Sequence, residues 1–345
     1  MKVLAVISQH GFGHLAQAAP VLNAMRVLEP GLALTIWSGL EATALQSRIE
    51  GRFEHRQEPA DVGLIMQDAM RVDLAASHAA YQAFHADWAP RVSREAAWLR
   101  EHAFDRVFSD VAYLPLAAAG QAGIPGFALC SLNWVDIARA YLSDLPGMAA
   151  IFEQMQAAYD AASMFLQPTP SMPMPQLARR REIAPIAMLG RNRREELAQR
   201  LALSSGTRLA LLGFGGIGYQ GPGRLPEIEN SIWFAPDNWQ TETSAARADL
   251  IPFSRTGMTF LDLLASSDVL ITKVGYGSFV EAAAHAVPVL YLDRPDWPET
   301  PYLAAWLAEH CNAMSLDEAA LFSERLSEIL QVLWRKPRKT AIQAT

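Results

Sequence analysis

The chain has 345 residues, 51% apolar and 19% charged, with a formal net charge of −7. A single core rarely grows past about 250–300 residues, so two domains are expected, and the acidic balance excludes the basic footprint that binding a nucleic-acid backbone requires. Its two cysteines, Cys130 and Cys311, make neither a disulfide framework nor a four-thiolate metal site; they read as packing residues of a protein in a reducing cytoplasm.

Lys2 followed by the apolar run Val3 to Ile7 is too short for a signal peptide and reads as a buried first strand. Leu15, Ala18, Leu22 and Met25 then recur at helical spacing, with Pro20 expected to make the first turns irregular. Leu32 to Trp37 reads as a strand, "ATALQSRI" as a helix, and Ala75 to His102 as a long helical pattern interrupted at Pro90. Arg106 to Ser109 and "GFALCS" read as further strands. No segment offers the roughly 20 uninterrupted apolar residues of a membrane span; Val107 to Leu129 is broken by Asp110, Pro115, Gln121 and Pro125. The tail "WRKPRK" is the one hint of peripheral membrane contact, and a solvated charge cluster is its plainer account.

The texture changes near Gln167, where "QPTPSMPMPQLARRREIAPIAMLGR" concentrates five prolines and then charge. Residues 1–166 are therefore expected to form an amino-terminal domain, 167–205 a linker, and 206–345 a carboxyl-terminal domain whose last helix packs back on the first domain. After the linker come the strand "RLALLGF", a glycine turn, a surface-like stretch, the strand "DVLITKV", the helix "GYGSFVEAAAHA", the strand "VPVLYL" and amphipathic helices to about Trp334. The fold class expected is α/β: two Rossmann-like doubly wound domains facing each other across a cleft, with ligands beyond the carboxyl ends of the strands.

Three stretches carry chemistry. "GFGGIG", Gly213 to Gly218, lets amides approach an anion, but its spacing matches neither the dinucleotide fingerprint nor the phosphate loop, and a structural turn would serve equally. In "KVGYGSFVE", Lys273 to Glu281, Gly275 and Gly277 free the backbone, Ser278 is a candidate helix cap, and Glu281 falls within the first turn or so. Glu281 there either complements the helix dipole or holds ribose hydroxyls, with Glu299 meeting sugar hydroxyls. In "SQHGFGHL", His10 and His14 stand four apart, but Gly11 and Gly13 argue against a helix and no metalloprotease Glu follows, so no metal is expected. His14 suits a general base at the mouth of the cleft, oriented by Asp110 from "VFSDVAY"; the alternative is a histidine that satisfies loop carbonyls.

"QHGFGH", "NWVDIARAYL", "PSMPMP", "LLGFGG" and "TKVGYGSFVEAAAHAVPVLYLDRPDWPETPYL" fall in the order seen in two-domain glycosyltransferases of the GT-B architecture. Over nearly the whole chain the sequence resembles the glycosyltransferase-like amino-terminal region of L-arabinokinases and, more distantly, the undecaprenyl-muramoyl-peptide N-acetylglucosaminyltransferases. The resemblance implies a carboxyl-terminal domain for the nucleotide sugar and an amino-terminal one for the acceptor. His14 matches the base, Glu281 the ribose contact, and Gly215, Gly216, Gly275 and Gly277 the diphosphate turns. Phe214, Lys273, Tyr276, Ser278 and Glu299 complete the expected donor side; His10, Phe12, Asn133 and Trp134 form the expected acceptor side. Where the look-alikes often continue the Gly-His with threonine and arginine, this chain has Leu15, Ala16 and Gln17. No kinase-type phosphate loop is present, and a transferase-like unit standing alone is expected. Aspartate-x-aspartate occurs nowhere, which fits a metal-independent, inverting transferase without cofactor. A nucleotide-sugar hydrolase or epimerase, or a non-catalytic nucleotide-sugar-binding protein, are the competing readings.

Overall fold

The computed structural model describes residues 1–215, 219, 223–237, 239 and 247–344. They divide into two compact units, Met1–Gln67 with Arg71–Ile186, and Asp68–Met70 with Ala187–Ala344.

The first unit runs β1 (Lys2–Ile7), α1 (Phe12–Leu28), β2 (Ala33–Trp37), α2 (Ala42–Gln46), β3 (Glu54–Arg56), α3 (Leu74–His85), α4 (Trp88–Glu101) and β4 (Arg106–Asp110). It continues through α5 (Leu114–Ala122), β5 (Gly126–Leu129), α6 (Trp134–Leu142), α7 (Met148–Asp160), β6 (Met164–Pro168) and β7 (Arg180–Ile183). Its seven strands lie in the order β3-β2-β1-β4-β5-β6-β7, all parallel. Val3 to Ile7 are each fully buried, as expected of a strand covered on both faces.

The second unit runs α8 (Arg194–Arg200), β8 (Arg208–Gly213), β9 (Ser231–Ala235), β10 (Leu250–Pro252), α9 (Phe253–Thr256), α10 (Phe260–Ser266) and β11 (Val269–Lys273). It ends with α11 (Tyr276–Ala284), β12 (Val289–Leu292), α12 (Thr300–His310), β13 (Ala313–Leu316), α13 (Glu318–Leu321) and α14 (Arg325–Arg335). Its six strands are ordered β10-β9-β8-β11-β12-β13, again parallel throughout. Leu209 and Leu211 of β8 join one core with Phe279 and Leu303, whereas Ala210 and Leu212 join another with Trp233, Leu326, Leu330 and Leu333. The alternating side chains of one strand thus feed two cores.

In each sheet the order reverses once, between β1 and β4 and between β8 and β11. Such reversals leave a crevice beyond the carboxyl ends of the strands, where doubly wound sheets bind ligands.

Several sequence expectations change. The proline-rich segment 167–205 holds the end of β6, all of β7 and all of α8; Pro168 ends β6, the other four prolines fall between elements, and β7 pairs with β6 to extend the first sheet. The last helix, α14, buries Leu326, Leu330 and Leu333 in the core of its own unit. The surface-like stretch contains β9, where Trp233 and Phe234 are fully buried. The break in Ala75 to His102 lies at Ala86 and Asp87, and Pro90 sits in the first turn of α4, where its missing N–H costs no hydrogen bond. Helix α1 runs unbroken through Pro20 and takes in Gly13 and His14. Among the described residues, no helix is long and apolar enough to cross a membrane.

Phe279 is fully buried and its ring lies 5.2 Å from that of Tyr291, edge to face. Phe279→Ala is expected to cost about 3–5 kcal/mol of folding stability, measured by equilibrium denaturation; a loss below about 1 kcal/mol would contradict this packing.

Candidate active site

At the reversal in the first sheet, Ile7 of β1 pairs in register with Asp110 of β4. Chain direction then delivers two groups to the same edge. Gly11, at φ +99°, makes the turn that starts α1, and His14 follows within the first turn, 6% exposed. Its Nδ1 lies 2.8 Å from Asp110 Oδ1. Asp110 is fully buried, and burial raises its pKa from 3.8 to about 6 although the charge and hydrogen bond of His14 pull the other way. Val111, directly after it, adopts φ +65°, a region that β-branched residues rarely enter. The Tyr159 hydroxyl holds that turn by donating to Val111 O at 2.7 Å and accepting from the Trp134 backbone N–H at 3.1 Å.

A second acid and imidazole flank the first pair. Asp61, in the segment after β3, is 3% exposed. Its carboxylate accepts from Trp134 Nε1 at 2.8 Å and from Ser8 Oγ at 3.2 Å, and His10 Nε2 stands 3.4 Å away. Burial alone would raise the pKa of Asp61, but His10, the charge of His14 and the Ser8 hydroxyl outweigh it and hold the group below its usual value. The two carboxylates are therefore pushed apart, one a fixed anion and the other titrating near neutrality, a pattern that separates acid–base roles. Both imidazoles lie against the Trp134 ring, at centroid distances of 5.3 and 5.5 Å.

Cys130, directly after β5, places Sγ 3.8 Å from His14 Nδ1. The thiol, imidazole and carboxylate of Cys130, His14 and Asp110 bring their ligating atoms within 4.8 Å of one another, a group able to hold a metal ion. The His14–Asp110 spacing itself is that of a hydrogen bond.

The second sheet gathers a different set at its own reversal. Gly215 follows β8 at φ +81°, and a Cβ there would lie 3.9 Å from Lys273 Cε. Lys273 ends β11, and its pKa falls to about 8 through burial and the neighbouring Arg294, against the pull of Glu299. Arg294 is 4% exposed and lies over the Trp297 ring at 4.5 Å. Trp297 Nε1 donates to Glu299 Oε2 at 3.3 Å.

No family model matches the chain. L-arabinokinase of Arabidopsis thaliana is 26% identical over 314 residues, which cover 86% of this chain and 28% of that protein; the chain thus spans under a third of the relative's length. Among solved structures, the glycotransferase of kitacinnamycin matches with a TM-score of 0.61 at 16% identity, covering 97% of this chain and 91% of that one. UGT2 of Phytolacca americana, complexed with UDP-2-fluoro-glucose and pterostilbene, matches with a TM-score of 0.56 at 14% identity, covering 96% and 89%. The chain has the GT-B fold.

Within this GT-B fold the expected site residues separate into several kinds. His14 and Asp110 are in contact. His10 and Trp134 share the same edge through Asp61, whereas Phe12 begins α1 with 42% exposure. The Asn133 side chain is spent on α6, where it accepts from the Asp136 N–H and donates to the Asp136 carboxylate. Of the residues expected on the donor side, Phe214 is a core residue, stacked 4.6 Å from Tyr219, and Tyr276 is 3% exposed in the core. Gly216 lies outside the described residues. Gly275 is the N-cap of α11 with no side-chain cap; Gly277 and Ser278 lie inside the helix, and Glu281 is its sixth residue, beyond the first turn. The Glu281 carboxyl-bearing residue is nonetheless 2% exposed. Glu299, 4% exposed, is the N-cap of α12.

Sequence reasoning missed Asp61, Gly63 and Arg294. Gly63, at φ +57°, faces the His10 ring so closely that a Cβ would fall 2.3 Å from His10 Cδ2. Gly63→Ala must therefore displace His10 and adopt a left-handed conformation that costs about 1–2 kcal/mol. The expected outcome is a loss of at least that size in denaturant melts; an unchanged midpoint would contradict the contact.

Proposed function

We propose that the chain is a glycosyltransferase that moves a sugar from a nucleotide-diphosphate sugar to an acceptor hydroxyl, inverting the anomeric carbon, with no resident cofactor or metal in the transfer step. The observation that carries this reading is the buried His14–Asp110 contact at the sheet reversal of a GT-B fold. With Nδ1–H donating to the Asp110 carboxylate, the basic atom of the neutral imidazole is Nε2. That nitrogen takes the hydroxyl proton as the acceptor oxygen bonds to the anomeric carbon and the bond to the diphosphate oxygen breaks. Asp110 stabilises the imidazolium that results, as in other acid–imidazole pairs.

The leaving diphosphate needs countercharge. Lys273, Arg294 and the open backbone at Gly215 and Gly275 supply it at the carboxyl edge of the second sheet, where one preorganised donor is typically worth about 3–4 kcal/mol in the transition state. UDP-2-fluoro-glucose bound to a structural neighbour of the same fold supports a nucleotide sugar as donor. By the sequence resemblance, Glu281 and Glu299 meet the ribose and sugar hydroxyls.

His14→Ala is expected to lower turnover by about 10²–10⁴-fold while binding of nucleoside diphosphate, followed by calorimetry, stays the same; unchanged turnover would remove His14 from the base role. Because Asp110 must be ionised to stabilise the imidazolium and its pKa is raised to about 6 by burial, turnover should decline as the pH falls through about 6. Lys273, with its pKa lowered to about 8 by burial and Arg294, loses its charge as the pH rises past that value. Nucleoside diphosphate should bind progressively more weakly above about pH 8 in the parent protein, and Lys273→Met should bind weakly at every pH without that inflection.

A further inference from the structure

We propose that Cys130, His14 and Asp110 form a binding site for a soft divalent cation of the zinc class, and that its occupation switches the transfer reaction off. The second clause rests on the reading of His14 as the base.

Three side chains converge from separate elements: Asp110 from the end of β4, Cys130 from the residue after β5, and His14 from the first turn of α1. All three are buried, and their ligating atoms lie within 4.8 Å of one another. Tetrahedral zinc, with bonds of about 2.0–2.1 Å to nitrogen, about 2.0–2.2 Å to oxygen and about 2.3 Å to sulfur, sets its ligands roughly 3.3–3.6 Å apart. The observed spacings are 3.8 Å from Cys130 Sγ to His14 Nδ1 and 2.8 Å from Nδ1 to Asp110 Oδ1. Both spacings lie within about 0.5 Å of that range.

A second observation points to a ligand. Apart from the Cys130 thiol beside this carboxylate, Asp110 Oδ2 is buried without a hydrogen-bond partner, an arrangement that proteins seldom leave. A cation beside it would satisfy that oxygen. Thiolate, carboxylate and neutral imidazole around a dication also sum to zero charge, which suits a buried location. The mixture of sulfur, nitrogen and oxygen selects zinc-like ions over magnesium or calcium.

Binding and catalysis compete for one proton. Coordination forms metal bonds to Sγ, Nδ1 and a carboxylate oxygen; the thiol proton leaves to solvent, and the proton held at Nδ1 moves to Nε2. Nε2 is then protonated and no longer accepts a proton from the acceptor hydroxyl. No oxidation or reduction takes place. Cys311, the other cysteine, lies in the second unit, where its thiol donates to Val287 O at 3.0 Å, and serves as an internal control.

The test uses the full chain, stripped with a chelator and titrated with cobalt(II) chloride and then zinc chloride, without any nucleotide sugar. One equivalent of cobalt should produce thiolate-to-cobalt charge-transfer absorption that zinc displaces. Cys130→Ser and Cys130→Ala should abolish the band and weaken zinc by about 100-fold or more, since loss of an outer-shell partner alone costs about 10–100-fold; Cys311→Ser should retain both. Thermal melts establish that each variant is folded. In nucleotide-sugar turnover assays, zinc should inhibit the parent protein reversibly and leave the residual turnover of Cys130→Ala unaffected. Absence of the band in the parent, or unaltered zinc affinity in Cys130→Ser, overturns the site. Zinc binding that leaves parent turnover intact overturns the switch. The cation titration needs no transfer, so its failure is distinct from failure of the base assignment, which His14→Ala tests.

Discussion

A carboxylate taken wholly out of water beside an imidazole is the constraint on which the first unit turns. Asp110 is fully buried and 2.8 Å from His14, and a buried charge persists only where partners compensate for lost hydration. The surrounding features read as means of holding that pair: the positive-φ turn at Val111, its clasp by Tyr159, and the Trp134 ring against both histidines. Asp61 adds a second fixed negative charge, bound by Ser8, Trp134 and His10. It raises the pKa of Asp110 further by repulsion, so the two acids are tuned by the same small volume.

The two sheets solve one topological problem in opposite chemical senses. Each reverses its strand order once and gathers functional groups where the carboxyl ends diverge. The first edge collects two acids and two imidazoles, with the pKa of Asp110 raised to about 6 by burial and that of Asp61 lowered. The second collects Lys273 and Arg294 beside glycine turns, a field suited to an anion. Proton transfer and charge neutralisation are the two demands of moving a sugar off a diphosphate, and the proposed function assigns the first to one edge and the second to the other.

Much of the architecture was legible because buried parallel strands announce themselves as short apolar runs between helical patterns, as Val3 to Ile7 and Val269 to Ile271 do. The strands that were missed, such as β3 and β10, span three residues each, too short for periodicity to register. Proline misled in two directions: Pro20 is carried inside a continuous helix, and Pro170, Pro173 and Pro175 fall between β6 and β7 instead of marking a linker. Within the site, His14 and Asp110 were readable because one follows and the other ends a strand, and those two strands lie side by side. Asp61 lies in "PADVGL", which has no strand or helix signal of its own, and only the fold brings it to Trp134. Phe214, Tyr276 and Asn133 stand beside glycines or turns in sequence, yet packing and capping engage their side chains.

The central claim is that Asp110 fixes the His14 ring with its proton on Nδ1, and the most direct test is nitrogen-15 NMR of that imidazole in its neutral form. The account predicts ring shifts of the Nδ1–H tautomer in the parent protein and loss of that preference in Asp110→Asn. A neutral His14 protonated on Nε2 in the parent protein, or a tautomer indifferent to Asp110→Asn, would contradict it.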